Sequence, residues 1–193
     1  GWITAFLLCS MALGLLPTAG FANELTIVAN GRSDYVIAIS EQSKDPAKIT
    51  EAAELLQKAI SKATGAKLPV VNESEVADSP AIFLGKTSAA RETGLLIGDI
   101  KGWGYLIRAK GRNIYLIGEE DPADELIPKK QGYSGYSGTY KAVTAFLEDQ
   151  VGVRFVLPGE LGVQIPKLET LTIDASLDVS WSPLFTFIGR RVS

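Results

Sequence analysis

The residues of this chain that are best suited to chemistry are carboxylates, and their densest group lies between residues 119 and 125. That group comprises Glu119, Glu120, Asp121, Asp124 and Glu125. Two carboxyl groups at a suitable separation act as acid and base in glycoside hydrolysis, and carboxylate oxygens bind hard metal ions. The group has no apolar pocket nearby in sequence that would raise one pKa, and it lacks a recognisable metal-loop pattern. We therefore interpret it as a solvated loop, and predict no catalytic residue and no metal site.

A second group combines glycines with aromatic residues. Residues 132–138 (GYSGYSG) precede a predicted helix, and a glycine-rich loop at a helix amino terminus can bind phosphate. The spacing matches neither the phosphate-loop nor the dinucleotide fingerprint, so no nucleotide cofactor is predicted. Flat aromatic faces suit the apolar side of a sugar ring, which makes Trp103, Tyr133 and Tyr136 candidate sugar contacts; ordinary loop packing is the alternative that we favour. The whole stretch 119–137 is expected to be an irregular, mobile loop.

Other reactive side chains are scarce. The 193 residues include no His, one Cys and one Met, and the formal net charge is −3. Without His there is no imidazole base, no His metal ligand and no Ser-His or Cys-His pair. Nucleic acid and anionic membranes are unsuitable partners, because phosphate binding needs clustered Lys and Arg. The length and a hydrophobic share of 46% are typical of one ordinary globular domain.

The amino terminus, residues 1–22, has the pattern of a secretory signal peptide. Residues 3–16 (ITAFLLCSMALGLL) form an apolar run of suitable length, and small residues predict cleavage after Ala22. A basic region and an initiator Met are missing, so the sequence is expected to start inside a longer precursor. A membrane anchor is the alternative, and lipidation of Cys9 is disfavoured because Leu8 precedes it. We predict export to the periplasm or the extracellular space, with no membrane contact after cleavage.

Two predicted helices would hold any functional side chains of the chain in place. Residues 46–64 place apolar side chains at helical spacing; Asp45 can cap the start, and Gly65 suits a left-handed end. Residues 138–151 form the second predicted helix, which Gly152 ends. Leu147 in this second helix is expected to face the core.

Short apolar strands surround the helices. We predict strands at residues 25–29, 35–39, 68–71, 81–85, 104–109, 113–118, 153–156 and 171–173. Residues 110–112 (KGR) have the character of a hairpin turn. Together these elements predict an α/β fold, an α+β sandwich in which a mixed sheet of about seven strands carries two main helices on one face.

One series of motifs extends along most of the chain. Residues 138–155 read GTYKAVTAFLEDQVGVRF, and 158–160 (PGE) follow. The other segments of the series are residues 52–71, 81–85, 113–118 and 182–191. Together they resemble the amino-terminal module of large secreted bacterial glycoside hydrolases: alpha-glucuronidases, alpha-N-acetylglucosaminidases, the module before the barrel in beta-hexosaminidases, and related uncharacterised exported proteins. The resemblance covers nearly all of residues 24–191.

The resemblance implies a domain organisation and a role. Residues 23–180 would be a non-catalytic α/β domain like the second domain of beta-hexosaminidases, and residues 181–193 would begin a (β/α)8 catalytic barrel, which is the partner of the module. It also implies that Arg190 or Arg191 meets the sugar. Adjacent residues on a strand face opposite ways, so only one could serve, and a solvated surface pair is the alternative that we favour.

Three functions follow from these observations. The leading hypothesis is a non-catalytic accessory domain that supports the barrel of an exported glycoside hydrolase. The alternative is a stand-alone extracytoplasmic carbohydrate-binding module that uses the aromatic candidates named above. A self-sufficient hydrolase that uses the carboxylates of residues 119–125 is the third, and we expect no such activity from this chain alone.

Overall fold

The computed structural model describes residues 23–95, 100, 104–121, 136–157 and 159–184. The helices are α1 (Pro46–Thr64), α2 (Ser88–Glu92) and α3 (Gly138–Phe146), which one π-helical turn (Leu147–Val151) continues. The strands are β1 (Glu24–Ala29), β2 (Val36–Ile39), β3 (Val70–Asn72), β4 (Ala81–Leu84), β5 (Tyr105–Lys110), β6 (Asn113–Gly118), β7 (Glu120–Asp121), β8 (Tyr136–Ser137), β9 (Arg154–Phe155), β10 (Val163–Gln164), β11 (Thr170–Asp174) and β12 (Asp178–Trp181).

Six of these strands form one mixed sheet in the order β12-β5-β6-β4-β2-β3. Strands β6, β4, β2 and β3 are parallel, whereas β5 and β12 run antiparallel to their neighbours. The predicted hairpin joins β5 to β6, and Lys110 pairs with Asn113 across the turn. The other strands pair two by two, as β1-β11, β9-β10 and β7-β8.

Helix α1 has the bounds that the sequence predicts, because its ends are fixed by local chemistry. The Asp45 side chain accepts a hydrogen bond from the backbone N–H of Lys48, and Gly65 ends the helix with a φ of 82°. That left-handed conformation costs glycine little. One stripe of the helix is buried, and it includes Ile49, Leu56 and Ile60.

The sheet separates two apolar layers of different size. The larger layer holds α1 and α3 against one face of the sheet, and it also contains Leu171 and Ile173 of β11. The smaller layer covers the other face, where Phe83 stacks on Tyr115 with ring centroids 5.2 Å apart and Ala90 of α2 packs nearby. Two main helices therefore lie on one face of a mixed sheet, and the predicted fold class is confirmed.

The second main helix differs from the prediction in its last turn. The sequence predicts one helix over residues 138–151, but the hydrogen-bonding pattern changes from α to π at Leu147. Gly152 then ends the helix as predicted, with a φ of 82°. Leu147 and Phe146 are both completely buried, so the prediction that Leu147 faces the core is confirmed.

The pairing of the outer strands was not visible in the sequence. Strand β1 lies in a separate ribbon with β11, although Leu25 and Ile173, which pair there, are 148 residues apart. Strand β12 was not predicted, since all four of its residues are exposed and give no apolar alternation. Its last residue, Trp181, pairs with Tyr105 in the main sheet. Residue 181 is also where the sequence analysis predicts that the next domain begins.

Some segments that carry a sequence-based prediction lie outside the described residues. The proposed signal peptide, residues 1–22, lies outside the described residues, as do residues 122–135 and 185–193. Within the parts that are described, no helix combines the length and the hydropathy needed to cross a membrane.

Replacement of Leu147 tests the packing of α3 on the sheet. We expect Leu147→Ala to lower the free energy of unfolding by about 2–5 kcal/mol, because buried methyl groups are lost and a cavity remains. Leu161→Ala is the matched control: this leucine is fully exposed, at 104% of its reference surface, so its free energy of unfolding should stay within about 0.5 kcal/mol of the wild type. Equal urea midpoints for both variants would show that the helix packs through another face.

Candidate functional site

The carboxyl ends of the parallel strands meet at one edge of the sheet. Strand β2 connects through α1 to β3 on one side, whereas β4 lies on the other side of β2. This arrangement is a topological switch point, where open α/β sheets most often bind ligands. The residues that follow the strands here are Ser40 after β2, Lys86 after β4, and Glu119 after β6.

Helix α3 starts in direct backbone contact with the end of β6. A side-chain carbon added at Gly118 would collide with the backbone of Gly138, and one added at Gly138 would lie 2.5 Å from the carbonyl oxygen of Gly104. The backbone N–H of Gly138 donates to the carbonyl of Glu119 at 2.7 Å. The last glycine of residues 132–138, Gly138, therefore permits close backbone packing. The end of strand β6 occupies the space next to the amino terminus of α3.

Glu120 lies directly below this helix start and is almost entirely buried, with 6% of its surface exposed. Thr139, in the first turn of α3, hydrogen-bonds to its carboxyl group through both the hydroxyl and the backbone N–H. The other carboxyl oxygen, Oε1, has no hydrogen-bond partner among the described residues. Burial raises the pKa of this carboxyl group, and it outweighs the opposite effects of Thr139 and of the Lys86 charge.

The burial of Glu120 corrects the interpretation of residues 119–125 as a solvated loop. The two ends of the 119–137 stretch also pair as strands β7 and β8, so it is not irregular throughout. The signal that could have indicated this is position: Glu120 follows a buried strand by two residues and precedes a helix that begins with glycine. Asp124 and Glu125 lie outside the described residues.

The neighbouring glutamate has a different environment. Glu119 forms an ion pair with Lys86, and the side chains of the two residues keep 31% and 40% of their surface exposed. Glu120 is enclosed, while Glu119 is charge-paired, so these two carboxyl groups do not present the open acid and base that glycoside hydrolysis uses. Among the described residues, no group of three or more Asp, Glu, Cys or His side chains is placed to hold a metal ion.

Polar side chains beside the carboxyl end of β2 hydrogen-bond to neighbouring elements of the protein itself. The carboxylate of Glu73 accepts hydrogen bonds from the backbone N–H of Glu41, the backbone N–H of Ser88 and the hydroxyl of Ser40. Arg91 donates to the carbonyl of Lys86 at 3.0 Å. These contacts tie the end of β2 to the start of α2, so this side of the switch point has a structural role.

Of the sequence-predicted sugar contacts, Tyr136 alone lies within the described residues. The backbone of Tyr136 lies in strand β8, paired with Asp121. Trp103, Tyr133, Arg190 and Arg191 lie outside the described residues. The sequence analysis did not single out Trp181, whose ring stacks on Tyr105 with centroids 5.7 Å apart.

Comparison with known proteins gives a match for the fold. No family model and no curated protein matches the chain. Among solved structures, it is similar to a family GH115 4-O-methyl-alpha-glucuronidase with specificity for decorated arabinogalactans, at 14% sequence identity and a TM-score of 0.50. The chain shares the fold of part of a glycoside hydrolase. The match covers 82% of this chain but only 18% of the glucuronidase, and it supports the resemblance at the level of the fold.

Substitution of Glu120 tests whether its buried carboxyl group is protonated in the folded protein. Its folded-state pKa lies above the unfolded value of about 4.3, so the wild type should be most stable below that pH and lose stability as the pH rises through the folded-state pKa. Glu120→Gln keeps the shape but has no acidic proton. We expect this variant to be more stable than the wild type at pH 8 by about 1–3 kcal/mol, the order of the desolvation penalty of a buried group, because the amide has no charge to bury, and to lose this advantage at pH 4.

The matched control is Glu119→Gln, which removes the partly exposed ion pair with Lys86. Its free energy of unfolding at pH 8 should change by at most about 1 kcal/mol. Urea unfolding of the three proteins between pH 4 and pH 8 provides the measurement. Parallel curves for the wild type and Glu120→Gln would contradict the prediction.

Proposed function

We propose that this chain is the non-catalytic amino-terminal module of an exported glycoside hydrolase, and that it supports a carboxy-terminal catalytic barrel of the same polypeptide. The observation that carries the proposal is the shared fold, which extends over 82% of this chain and 18% of a glucuronidase. Most of that enzyme therefore lies outside the match. The motif series of residues 138–160 supports the same assignment by resemblance.

The environment of the carboxyl groups favours an accessory role over catalysis. In retaining and inverting glycosidases, two carboxyl groups flank the bond that is cleaved. Glu120, the one described carboxyl group whose pKa is raised, is closed off from solvent beneath α3. A substrate could reach it only if the helix start moved away from β6. Catalysis is therefore assigned to the remainder of the polypeptide.

An exposed apolar turn supports contact with a further domain. Between β9 and β10, Val156, Leu157 and Leu161 expose 61%, 67% and 104% of their surface. Two backbone N–H groups of the turn donate to the carbonyl of Gly162, so the turn is held in a defined shape. Clustered apolar side chains in solvent are typical of interaction surfaces, and under this proposal the barrel covers them.

One observation favours a second candidate function, that of a stand-alone carbohydrate-binding module. Trp181 is 41% exposed and its ring stacks on Tyr105, and a supported aromatic ring can stack on a sugar once the Lys141 ammonium, 5.2 Å from the ring centroid, moves aside. Trp103, Tyr133 and Tyr136 would contribute in the same way. Titration calorimetry of this chain against neutral polysaccharides distinguishes the two candidate functions. The accessory role predicts no heat of binding, whereas saturable binding would favour the stand-alone carbohydrate-binding module.

Deletion tests the accessory role. In the full polypeptide, removal of residues 23–180 should leave a catalytic remainder that is less soluble and less active, since the turn at Val156–Leu161 would no longer cover its partner surface. The full polypeptide with Leu161→Asp is the finer variant, and Lys44→Asp, at an exposed position outside the turn, is its control. A truncated remainder with full solubility and full activity would refute the proposal.

Alanine substitution of the two terminal arginines tests the implied sugar contact. A guanidinium group binds sugar hydroxyls or a carboxylate through a fork of fixed donors. In the full enzyme a sugar contact requires one of Arg190→Ala and Arg191→Ala to lower kcat/KM by at least about tenfold, a loss of about 1.4 kcal/mol, while the other has little effect; the solvated pair that we favour predicts no change in either. Equal and negligible changes in both variants would identify a solvated surface pair.

A further inference from the structure

An open cleft of about 540 Å³ lies at the edge of the sheet opposite to the switch point. Its walls include Tyr35, Pro80 and Arg112, which directly precede or adjoin the amino-terminal ends of β2, β4 and β6. Strand β1 and the turn that follows it form the remaining wall. The volume lies within the range of small-molecule sites.

The charges of this cleft are balanced and unpaired. Arg32 and Arg112 line it together with Glu24 and Asp34. Within the described part of the chain, none of these four side chains forms an ion pair or a side-chain hydrogen bond. Two arginines and two acidic residues therefore line one cleft, and all four are exposed.

Hydrogen bonds hold the backbone at both arginines in place, and the buried Tyr35 makes the one to Arg112. Its hydroxyl donates to the carbonyl of Arg112 at 2.9 Å, and its N–H donates to the hydroxyl of Ser33 at 3.1 Å. Arg32 is fixed by two hydrogen bonds with Ala29, of 2.9 and 3.0 Å. Both guanidinium groups thus extend from positions that the fold defines, which lowers the ordering cost of binding.

The arrangement selects one ligand chemistry. Guanidinium forks bind a carboxylate in a bidentate manner, whereas Glu24 and Asp34 can only accept hydrogen bonds while they are ionised. A multiply charged anion would be repelled by these carboxylates, and a neutral sugar would leave the arginines unused. We propose that this cleft binds a small monocarboxylate whose carboxylate group is flanked by hydrogen-bond donors, with the carboxylate on Arg32 and Arg112 and the donors on Glu24 and Asp34.

Hydroxyl groups are such donors in a sugar acid, and an ammonium group is such a donor in an amino acid. A small set of probe ligands distinguishes these two classes of ligand. The full chain is titrated with galacturonate, serine, acetate, galactose and sulfate, and the amide chemical shifts of the cleft are followed by NMR. We expect galacturonate or serine to bind at least tenfold more tightly than acetate or galactose, and sulfate to bind no better than acetate. The tighter of the two identifies the source of the donors. Equal affinities for acetate and for both donor-bearing ligands would overturn the proposal.

Variants assign the roles of the side chains. Arg32→Gln and Arg112→Gln should each weaken binding of the preferred probe at least fivefold, because the positive charge is lost. Glu24→Gln with Asp34→Asn should abolish the preference for that probe over acetate. The control is Lys44→Gln, which removes an exposed positive charge after β2, at the other edge of the sheet. Unchanged affinity in both arginine variants, or the same loss in the Lys44 control, would refute the assignment. The outcome is independent of the accessory role, which deletion of the module tests.

Discussion

The structure depends on the contact between the end of strand β6 and the start of helix α3. Gly118 and Gly138 approach so closely that neither position has room for a side-chain carbon. This contact sets the height of α3 on the sheet and therefore decides which side chains reach the larger core layer. It also encloses Glu120 beneath the first turn of the helix, where Thr139 is its partner. One backbone approach thus determines the packing of the core and the unusual environment of one carboxyl group.

Both edges of the sheet show how polar groups are used in this fold. At the carboxyl edge, Glu73 and Arg91 bind backbone groups of neighbouring elements, and a pocket of about 350 Å³ remains beside Glu73. At the amino edge, the four charged side chains of the cleft have no such partners among the described residues. Both edges therefore carry open space, and they differ in whether the charged side chains bind the protein's own backbone.

The sequence predicts the elements of this fold better than their partners. Helix α1 is predicted with correct bounds because Asp45 and Gly65 act locally at its ends, and the apolar stripe between them is regular. The β1-β11 ribbon could not be predicted, since strand pairing across 148 residues leaves no local signal. For the same reason Glu120 was interpreted as solvated: its burial comes from a helix start 18 residues further along the chain. Tertiary contacts decide such environments, and residue spacing does not reveal them.

The long-range pairing of β1 has a consequence for the order of events during synthesis. A chain that emerges from its amino terminus delivers β1 first, but the partner strand, β11, follows only after about 140 further residues. Until then, the backbone groups of β1 have no sheet partner, and Ile27 and Val28, which are buried in the finished fold, are in water. An unpaired apolar edge of this kind is prone to wrong associations. Strands β2 to β6 of the main sheet can pair around α1 while synthesis continues, but β1 can be paired only after Asp174 at the end of β11 has been made.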